Sequence, residues 1–327
     1  MYMDKTIGVV VPAYNEEGFV GDVIETLPAF VDRAYVVDDC STDGTWEEIV
    51  AARERETRER AVTPAMVADG GEEAGFVVPI QHEENRGVGG AIKTGYLRAR
   101  DEGVDVVAVM GGDGQMDPDE LERVVEPVAA GRADYVKGNR FLHEAEGMPR
   151  IRYAGSVLLT YLTRIASGYW HLGDPQMGYT AISNETLRTI DVEEMFEFYG
   201  YCNDLLVRLN VAGATVVDVP VTTVYGDEES GIDLKSYVPR VSAMLLKMFL
   251  WRLVTARETP GEQARSVLYG AGAAGTIGGA GAAAGRRGRA AIVAGVLGVV
   301  ALLAAMVTDA YVNRHRNGRD PFAGRED

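Results

Sequence analysis

A chain of 327 residues, 46% of them hydrophobic, has enough apolar material for one large core or for a domain with an appendage. A formal net charge of -17 and a sequence pI near 4.7 argue against general nucleic-acid binding, because such a surface repels a phosphate backbone, and they suit solubility in a salt-rich cytoplasm. The two cysteines, Cys40 and Cys202, match no metal or redox spacing and are expected in the core; the four histidines form no HxxxH or HExxH pair, so a disulfide framework and a zinc site lack support. The opening apolar run is short and broken by Pro12, so no secretory leader is expected and the bulk of the chain is expected in the cytoplasm.

Residues 6–11 (TIGVVV) read as a first buried strand with PAYNEEGF as its outgoing loop, and residues 19–27 carry apolar side chains at near-helical spacing. Residues 34–37 (AYVV) form a second strand ending in Asp38 and Asp39. Ser41, Thr42 or Asp43 can then cap a helix that packs Trp46 and Ile49 on the sheet. Residues 53–75 are charged, a helix tail and a solvated loop. A third strand at 76–80 (FVVPI) contains Pro79, which marks an edge position. NRGVGGAIKTG (85–95) is a glycine-rich turn entering a helix. The run VDVVAVM (104–110) is a fourth buried strand that stops at Gly111, Gly112 and Asp113. Strand and helix alternating at this period predict a doubly wound α/β sheet with its ligand crevice at the carboxyl ends of the strands.

A helix at 119–130 follows, then a strand at 133–141 that bears Lys137 and Arg140. Residues 148–168 are basic at their start and apolar along one face. A polar turn, a short strand and a helix start occupy 173–187; a helix carrying Asn203 and Asp204 covers 198–213, and a strand lies within 215–226.

The tail differs in kind. Residues 236–256 read as an amphipathic helix lying at a membrane surface, with Met, Leu, Phe and Trp on one side and Arg240, Lys247 and Arg252 on the other. Residues 290–308 carry no charge and suffice to span a bilayer. Residues 266–285 are glycine-rich and fit either a second span closing a hairpin, the favoured reading, or a flexible linker. Arginines stand on both sides of the 290–308 run, which leaves its orientation open. The expected organisation is an α/β domain over 1–232, an interfacial helix over 233–260, a transmembrane region over 261–312 and a polar tail over 313–327.

Chemistry gathers at the predicted strand ends. Asp39 and Asp113 are expected to end neighbouring strands, where a carboxylate can bind a nucleotide's base or ribose or hold a metal against a diphosphate. Asp39 serves equally well as a helix cap. Asp113, Gln115 and Asp117 recur at alternate positions and suit a hard cation such as Mg²⁺ or Mn²⁺, although a polar turn capping a helix near Pro118 fits the same residues. Gly87, Gly89 and Gly90 allow close backbone approach to a ligand, with Lys93 as a counter-charge. The spacing is not GxGxxG and no GxxxxGK[ST] occurs, which disfavours a dinucleotide cofactor or a P-loop.

VVPAYNEE, VVDDCSTDGT, NRGVGGAIKTG, VMGGDGQMDP and GNRF, in this order, resemble glycosyltransferase family 2 over roughly residues 6–230. DPQMGYTAISNE, GYCNDLLVRL and VPVTTVYGDEESGI are similar to the branch that holds dolichyl-phosphate hexosyltransferases and their polyprenyl-phosphate relatives. The resemblance implies a GT-A fold, a mixed sheet and inverting transfer of a hexose. The donor would be a UDP- or GDP-hexose, the acceptor dolichyl or polyprenyl phosphate, the metal Mg²⁺ or Mn²⁺, and the place the cytoplasmic face of the cell membrane. Protein N-glycosylation or surface glycan assembly would be served.

By the same resemblance Pro12, Tyr14, Glu16 and Asp39 would line the base and ribose pocket, with Gly87 and Lys93 beside the donor. Asp113 and Gln115 would hold metal and diphosphate, and Arg140, Arg152 and Ser156 the acceptor phosphate. Asp113, Arg140, Arg152 and Asp204 form the implied catalytic set, and Tyr225 and Ser230 resemble a loop that closes over the donor. One departure matters: where the family often has Asp-x-Asp, this chain has Gly111-Gly112-Asp113.

A lipid phosphate, with a second pKa of about 6, is already largely anionic at neutral pH and needs no strong base. A sugar hydroxyl acceptor would need one, and Asp204 fits that role as well as it fits a helix surface or cap position. A non-catalytic nucleotide-sugar-binding membrane module is the reading of another class.

Overall fold

The computed structural model describes residues 1–61, 75–140, 150–222, 234–284, 288–316 and 318. Seven strands form one sheet: β1 (Ile7–Ala13), β2 (Arg33–Asp38), β3 (Val77–Gln81), β4 (Val106–Val109), β5 (Tyr135–Asn139), β6 (Thr180–Ser183) and β7 (Val216–Pro220). Their order is β3-β2-β1-β4-β6-β5-β7, and every neighbouring pair is parallel except those that β6 makes with β4 and β5. Pro79 does lie on an edge strand, β3, where a missing N–H is tolerated.

β1 pairs with β2 on one side and with β4 on the other, Val9 opposing both Ala34 and Ala108. Asp39 and Asp113 therefore do not end neighbouring strands, contrary to the expectation from the sequence, because β1 lies between β2 and β4. The chain winds outward from β1 through β2 to β3 and then returns to place β4 on β1's other flank. That reversal opens a crevice between the carboxyl ends of β1 and β4, where a doubly wound sheet binds its ligand.

Side chains alternate across the sheet. Val9, Val11, Val36 and Ala108 face a layer made of α1 (Val20–Glu25), α2 (Thr45–Ala61) and α4 (Leu121–Ala129). Val10, Val37, Val107 and Val109 face α3 (Val88–Glu102), α6 (Asn184–Thr189) and α7 (Tyr201–Val211). Burial on both faces explains the near-continuous apolar strands of the sequence. Of the two cysteines only Cys202 is buried; Cys40 is half-buried in a loop at φ 62.

Three long helices follow α5 (Arg150–Ser167): α8 (Leu234–Thr255), α9 (Pro260–Ala284) and α10 (Gly288–Val312). Val241, Met244, Leu245 and Met248 of α8 pack against Ala166 of α5 and Val207 of α7. Arg252, expected on a solvated cationic face, is instead fully buried, because Asp309 of α10 receives it through two bonds of 2.9 and 2.8 Å. The exposed side of α8 mixes Leu246, Leu250, Trp251 and Val254 with Arg240 and Lys247. Residues 266–284 fall in α9, a helix rather than a linker. It packs antiparallel on α10 at small residues, and a Cβ on Gly279 would lie 2.5 Å from the Cα of Gly295. Among the described residues α10 is the helix long and apolar enough to cross a membrane by length and composition.

Candidate active site

Two loops at the carboxyl ends of β1 and β2 latch onto each other. Asn15 adopts φ 57, and its Oδ1 accepts the N–H of Thr42 at 2.8 Å, while its own N–H donates to Ser41 Oγ at 2.9 Å. Glu16 N–H donates to Thr45 Oγ1 at 2.8 Å, and Gly44 N–H donates to Glu17 Oε2 at 3.1 Å. Of the three capping candidates for α2, Asp43 does the work, accepting the N–H of Thr45 at 3.1 Å. Pro12 stands one residue before the end of β1, opposite Val37 of β2, and its carbonyl accepts Gly112 N–H at 3.1 Å. Tyr14, beyond it, is 46% exposed at the crevice. Pro12, Tyr14 and Glu16 thus stand on one rim, fixed by the loop that follows β2.

Asp39 is 2% exposed and its carboxylate is turned toward the turn that starts α3. It accepts the N–H of Arg86 at 2.9 Å and of Gly87 at 2.7 Å, and His82 Nδ1 lies 2.7 Å from its Oδ1. His82 Nε2 reaches Thr94 Oγ1 at 2.9 Å, so one imidazole joins β3's end, Asp39 and α3. No sequence spacing pointed to His82; its place just after β3, at the same edge, was the available signal.

The glycines of this turn approach protein. Gly87 has φ 81, and a Cβ there would sit 2.8 Å from the carbonyl oxygen of Glu197; a Cβ on Gly89 would fall on the carbonyl of Phe196. These glycines thus make room for residues 196–198, which the sequence did not show. Lys93, read as a counter-charge for the donor, pairs with Glu197 at 2.6 Å, and Arg86 pairs with the same carboxylate at 2.6 Å. Burial raises the pKa of Glu197, but the two cations outweigh it and hold the carboxyl below its usual range.

Asp113 lies four residues past the end of β4, next to Gly112, which is the residue that packs on Pro12 and Ala13. Its Oδ1 accepts Gln115 N–H at 3.1 Å, which folds the Gly111–Gln115 turn back on itself. Asp117, the third oxygen-bearing residue of the series, caps the next turn by accepting Asp119 N–H at 2.9 Å. Among the described residues no three His, Cys, Asp or Glu side chains cluster as a self-sufficient metal site. Asp113 and Gln115 carry side-chain oxygens of the kind that a hard cation such as Mg²⁺ takes, too few to hold one without further ligands.

Arg140 follows β5 and donates through Nε to Asp174 at 2.8 Å. Asp174 is 1% exposed and was not singled out from the sequence, although it sits in the motif DPQM. Ser156 is half-buried on α5, and its carbonyl accepts Thr160 Oγ1. α5 includes Arg152, but the side chains of residues 150–154 lie outside the described residues, as do Tyr225 and Ser230. Asp204 is 2% exposed inside α7 and accepts Arg208 Nε at 2.8 Å and Phe196 N–H at 3.0 Å. Arg208 also donates to the carbonyls of Asp191 and Glu194. The pair anchors the segment that receives Gly87 and Gly89, so Asp204 is neither a surface nor a cap residue.

Residues 8–190, more than half of the chain, match the profile of Glycosyl transferase family 2. The chain belongs to glycosyltransferase family 2. This family 2 enzyme is 30% identical over 225 residues to a UDP-N-acetylglucosamine–dolichyl-phosphate N-acetylglucosaminyltransferase of Methanococcus voltae, covering 68% of this chain and 87% of that one. It is also 30% identical over 234 residues to the undecaprenyl-phosphate mannosyltransferase of Micrococcus luteus, covering 66% of this chain and 82% of the relative. The glycosyltransferase is thus related to polyprenyl-phosphate sugar transferases. Its fold is GT-A: glucosyl-3-phosphoglycerate synthase from Mycobacterium tuberculosis, solved with uridine diphosphate, superposes with a TM-score of 0.54 at 22% identity, over 75% of this chain and 80% of that one.

Proposed function

We propose that this glycosyltransferase is membrane-anchored and moves one hexose, with inversion, from a nucleotide-diphosphate sugar to dolichyl or another polyprenyl phosphate on the cytoplasmic face. The observation that carries the reading is Arg140, a guanidinium at the carboxyl edge of the sheet whose orientation is fixed by buried Asp174. A phosphate dianion is the acceptor that such a cation suits. Helix α5, which follows in the chain, exposes Leu158, Tyr161 and Leu162, as a helix beside a lipid tail would.

In this reading Pro12, Tyr14, Glu16 and the loop fixed by Asp39 hold the base and ribose. Asp113 and Gln115 orient the donor diphosphate and hold Mg²⁺ or Mn²⁺, which when bound offsets the charge of the leaving diphosphate. Arg140, with Arg152 and Ser156, aligns the acceptor phosphate on the far side of the anomeric carbon. The acceptor oxygen is already anionic, so the residues need only align the reactants and shield the two anions from each other. Lys93 and Asp204 act by holding residues 191–197 in place.

The buried bonds of Asp204 support the phosphate acceptor over a sugar hydroxyl, which would need a free base. Full-length protein in detergent, supplied with radiolabelled nucleotide sugars, Mn²⁺ and dolichyl phosphate, should yield an organic-extractable labelled lipid, and Asp204→Asn should retain most of that activity where it folds. Label transferred only to a glycan hydroxyl, with loss on Asp204→Asn, would replace this reading. Donor binding without release of nucleoside diphosphate would identify a non-catalytic module.

The hairpin of α9 and α10 serves as the anchor. At 25 residues, α10 is about 37 Å long, enough for a bilayer. The two open ends of the hairpin are tied to each other and to the α/β domain: Arg316 donates to Glu262 at the start of α9 and to Asn210 of α7. His315→Cys, at an exposed position just past α10, should therefore label from the same side of the membrane as the catalytic domain.

A further inference from the structure

Two charged residues below the acceptor edge have no part in the roles assigned so far. Lys137 on β5 and Asp218 on β7 are cross-strand partners in a parallel register. Lys137 is fully buried, and Asp218 Oδ1 is shut off from solvent with no hydrogen-bond partner. Two apolar residues would fill this place at lower cost, because desolvating a cation and an anion is repaid only by good geometry. What their polar atoms reach is therefore informative.

Asp218 Oδ2 accepts Gly173 N–H at 2.6 Å and Asn139 Nδ2 at 2.9 Å. Lys137 Nζ donates to the carbonyl of Met177, which also receives the Cys202 thiol at 3.6 Å. The segment from Gly173 to Met177 is thus gripped at both ends, once by each strand. Asp174 lies inside the grip, and Arg140 directly follows Asn139. The fit leaves no slack at the first end: a Cβ on Gly173 would fall on Asn139 Nδ2.

We propose that Lys137 and Asp218 form a two-ended clamp that positions Asp174, and through it Arg140, for binding the acceptor phosphate. This rests on the reading of Arg140 as an acceptor-phosphate group. Neither clamp residue touches substrate; both are positioning residues, and their effect falls on the acceptor and not on the donor.

The test uses the full-length protein in detergent, with KM for dolichyl phosphate, KM for the nucleotide sugar and kcat measured separately for Arg140→Ala, Asp218→Ala, Asp218→Asn and Lys137→Met. Asp218→Ala and Lys137→Met should raise the lipid-phosphate KM by about tenfold or more while the nucleotide-sugar KM stays within about twofold. Asp218→Asn keeps an oxygen that can accept from Gly173 and Asn139, so it should restore most of the acceptor affinity. If Arg140→Ala raises the acceptor KM and Asp218→Ala does not, the clamp is wrong while the Arg140 reading stands. If Arg140→Ala leaves that KM unchanged, the Arg140 reading fails and the clamp's stated purpose fails with it. Should Asp218→Ala not fold, Asn139→Ala removes one of its two donors and decides the matter: a raised acceptor KM supports the clamp, an unchanged one overturns it.

Discussion

Arg140 and Asp174 meet at 2.8 Å across 34 residues of sequence, with the arginine side chain 25% exposed and the aspartate 1% exposed. A buried carboxylate that loses its cation is left with its desolvation penalty uncompensated. Arg140→Met should therefore cost about 2 kcal/mol of stability, less than for a fully enclosed pair because the arginine keeps contact with water. Adding Asp174→Asn should recover part of the loss. A double-mutant cycle by thermal unfolding checks this, and strictly additive effects would show that the two side chains do not couple.

Asp113 is the first residue to change at the donor side. Asp113→Asn should lower kcat by about 10²-fold or more and raise the Mn²⁺ concentration needed for half-maximal rate, read by release of nucleoside diphosphate. Gly111→Asp restores a carboxylate two residues earlier; a Cβ there would lie 2.9 Å from Asp113 Oδ1, the movable end of a side chain. That variant should tighten the metal requirement by about tenfold, since a second hard oxygen ligand joins the first. An unchanged Mn²⁺ titration in both variants would remove Asp113 from the metal site.

The base of the hairpin holds Arg252, Arg265 and Asp309, each fully buried, with Arg265 Nη1 3.4 Å from Asp309 Oδ1. Asp309→Ala would strand two cations and should cost about 3–5 kcal/mol, seen as a lower inactivation temperature in detergent. Replacing all three by Met, Met and Leu should recover most of the loss. The network also reaches α5, through Arg252 Nη2 and the carbonyl of Ile165 at 2.9 Å, so loosening it should weaken lipid-phosphate binding along with stability.

Asp218 gives a pH signature. Burial pushes its pKa from 3.8 up to about 6, against the opposing pull of the Gly173 N–H, Lys137 and Asn139; Asp174 adds to the rise. The folded protein then binds a proton that the unfolded chain has already released, so this residue's contribution to stability is greatest below about pH 4 and declines as pH rises to about 6. Allowing for partial solvent contact, the decline should be about 2 kcal/mol. The stability of the wild type relative to Asp218→Asn, measured by urea unfolding at steps of pH, should fall over that window; a flat difference would mean that Asp218 has an ordinary pKa.

How much of this was legible in the sequence follows from what each feature depends on. The strands and helices were readable because side-chain periodicity is local, and Pro79, the glycine turn at 85–95 and the abrupt stop at Gly111 mark the ends of elements through backbone chemistry alone. The family motifs carried the fold and the chemistry of the carboxyl edge. Three sets of partners were not legible, for a shared reason. Lys93 pairs with Glu197, Gly87 and Gly89 pack on residues 196–198, and Arg252, read on a solvated face, is buried against Asp309.

By itself, then, the sequence determined where elements begin and end, which residues reach the strand ends, and that the tail is apolar enough to meet a membrane. Only the tertiary structure decided which charges face each other. His82 and Asp39 are 43 residues apart, Lys137 and Met177 are 40 apart, and Arg252 and Asp309 are 57 apart. No periodicity spans such distances: these partners are chosen when β1 settles between β2 and β4 and the helices close over the sheet, because a charge removed from water must find its counterpart among whatever groups the packing brings beside it.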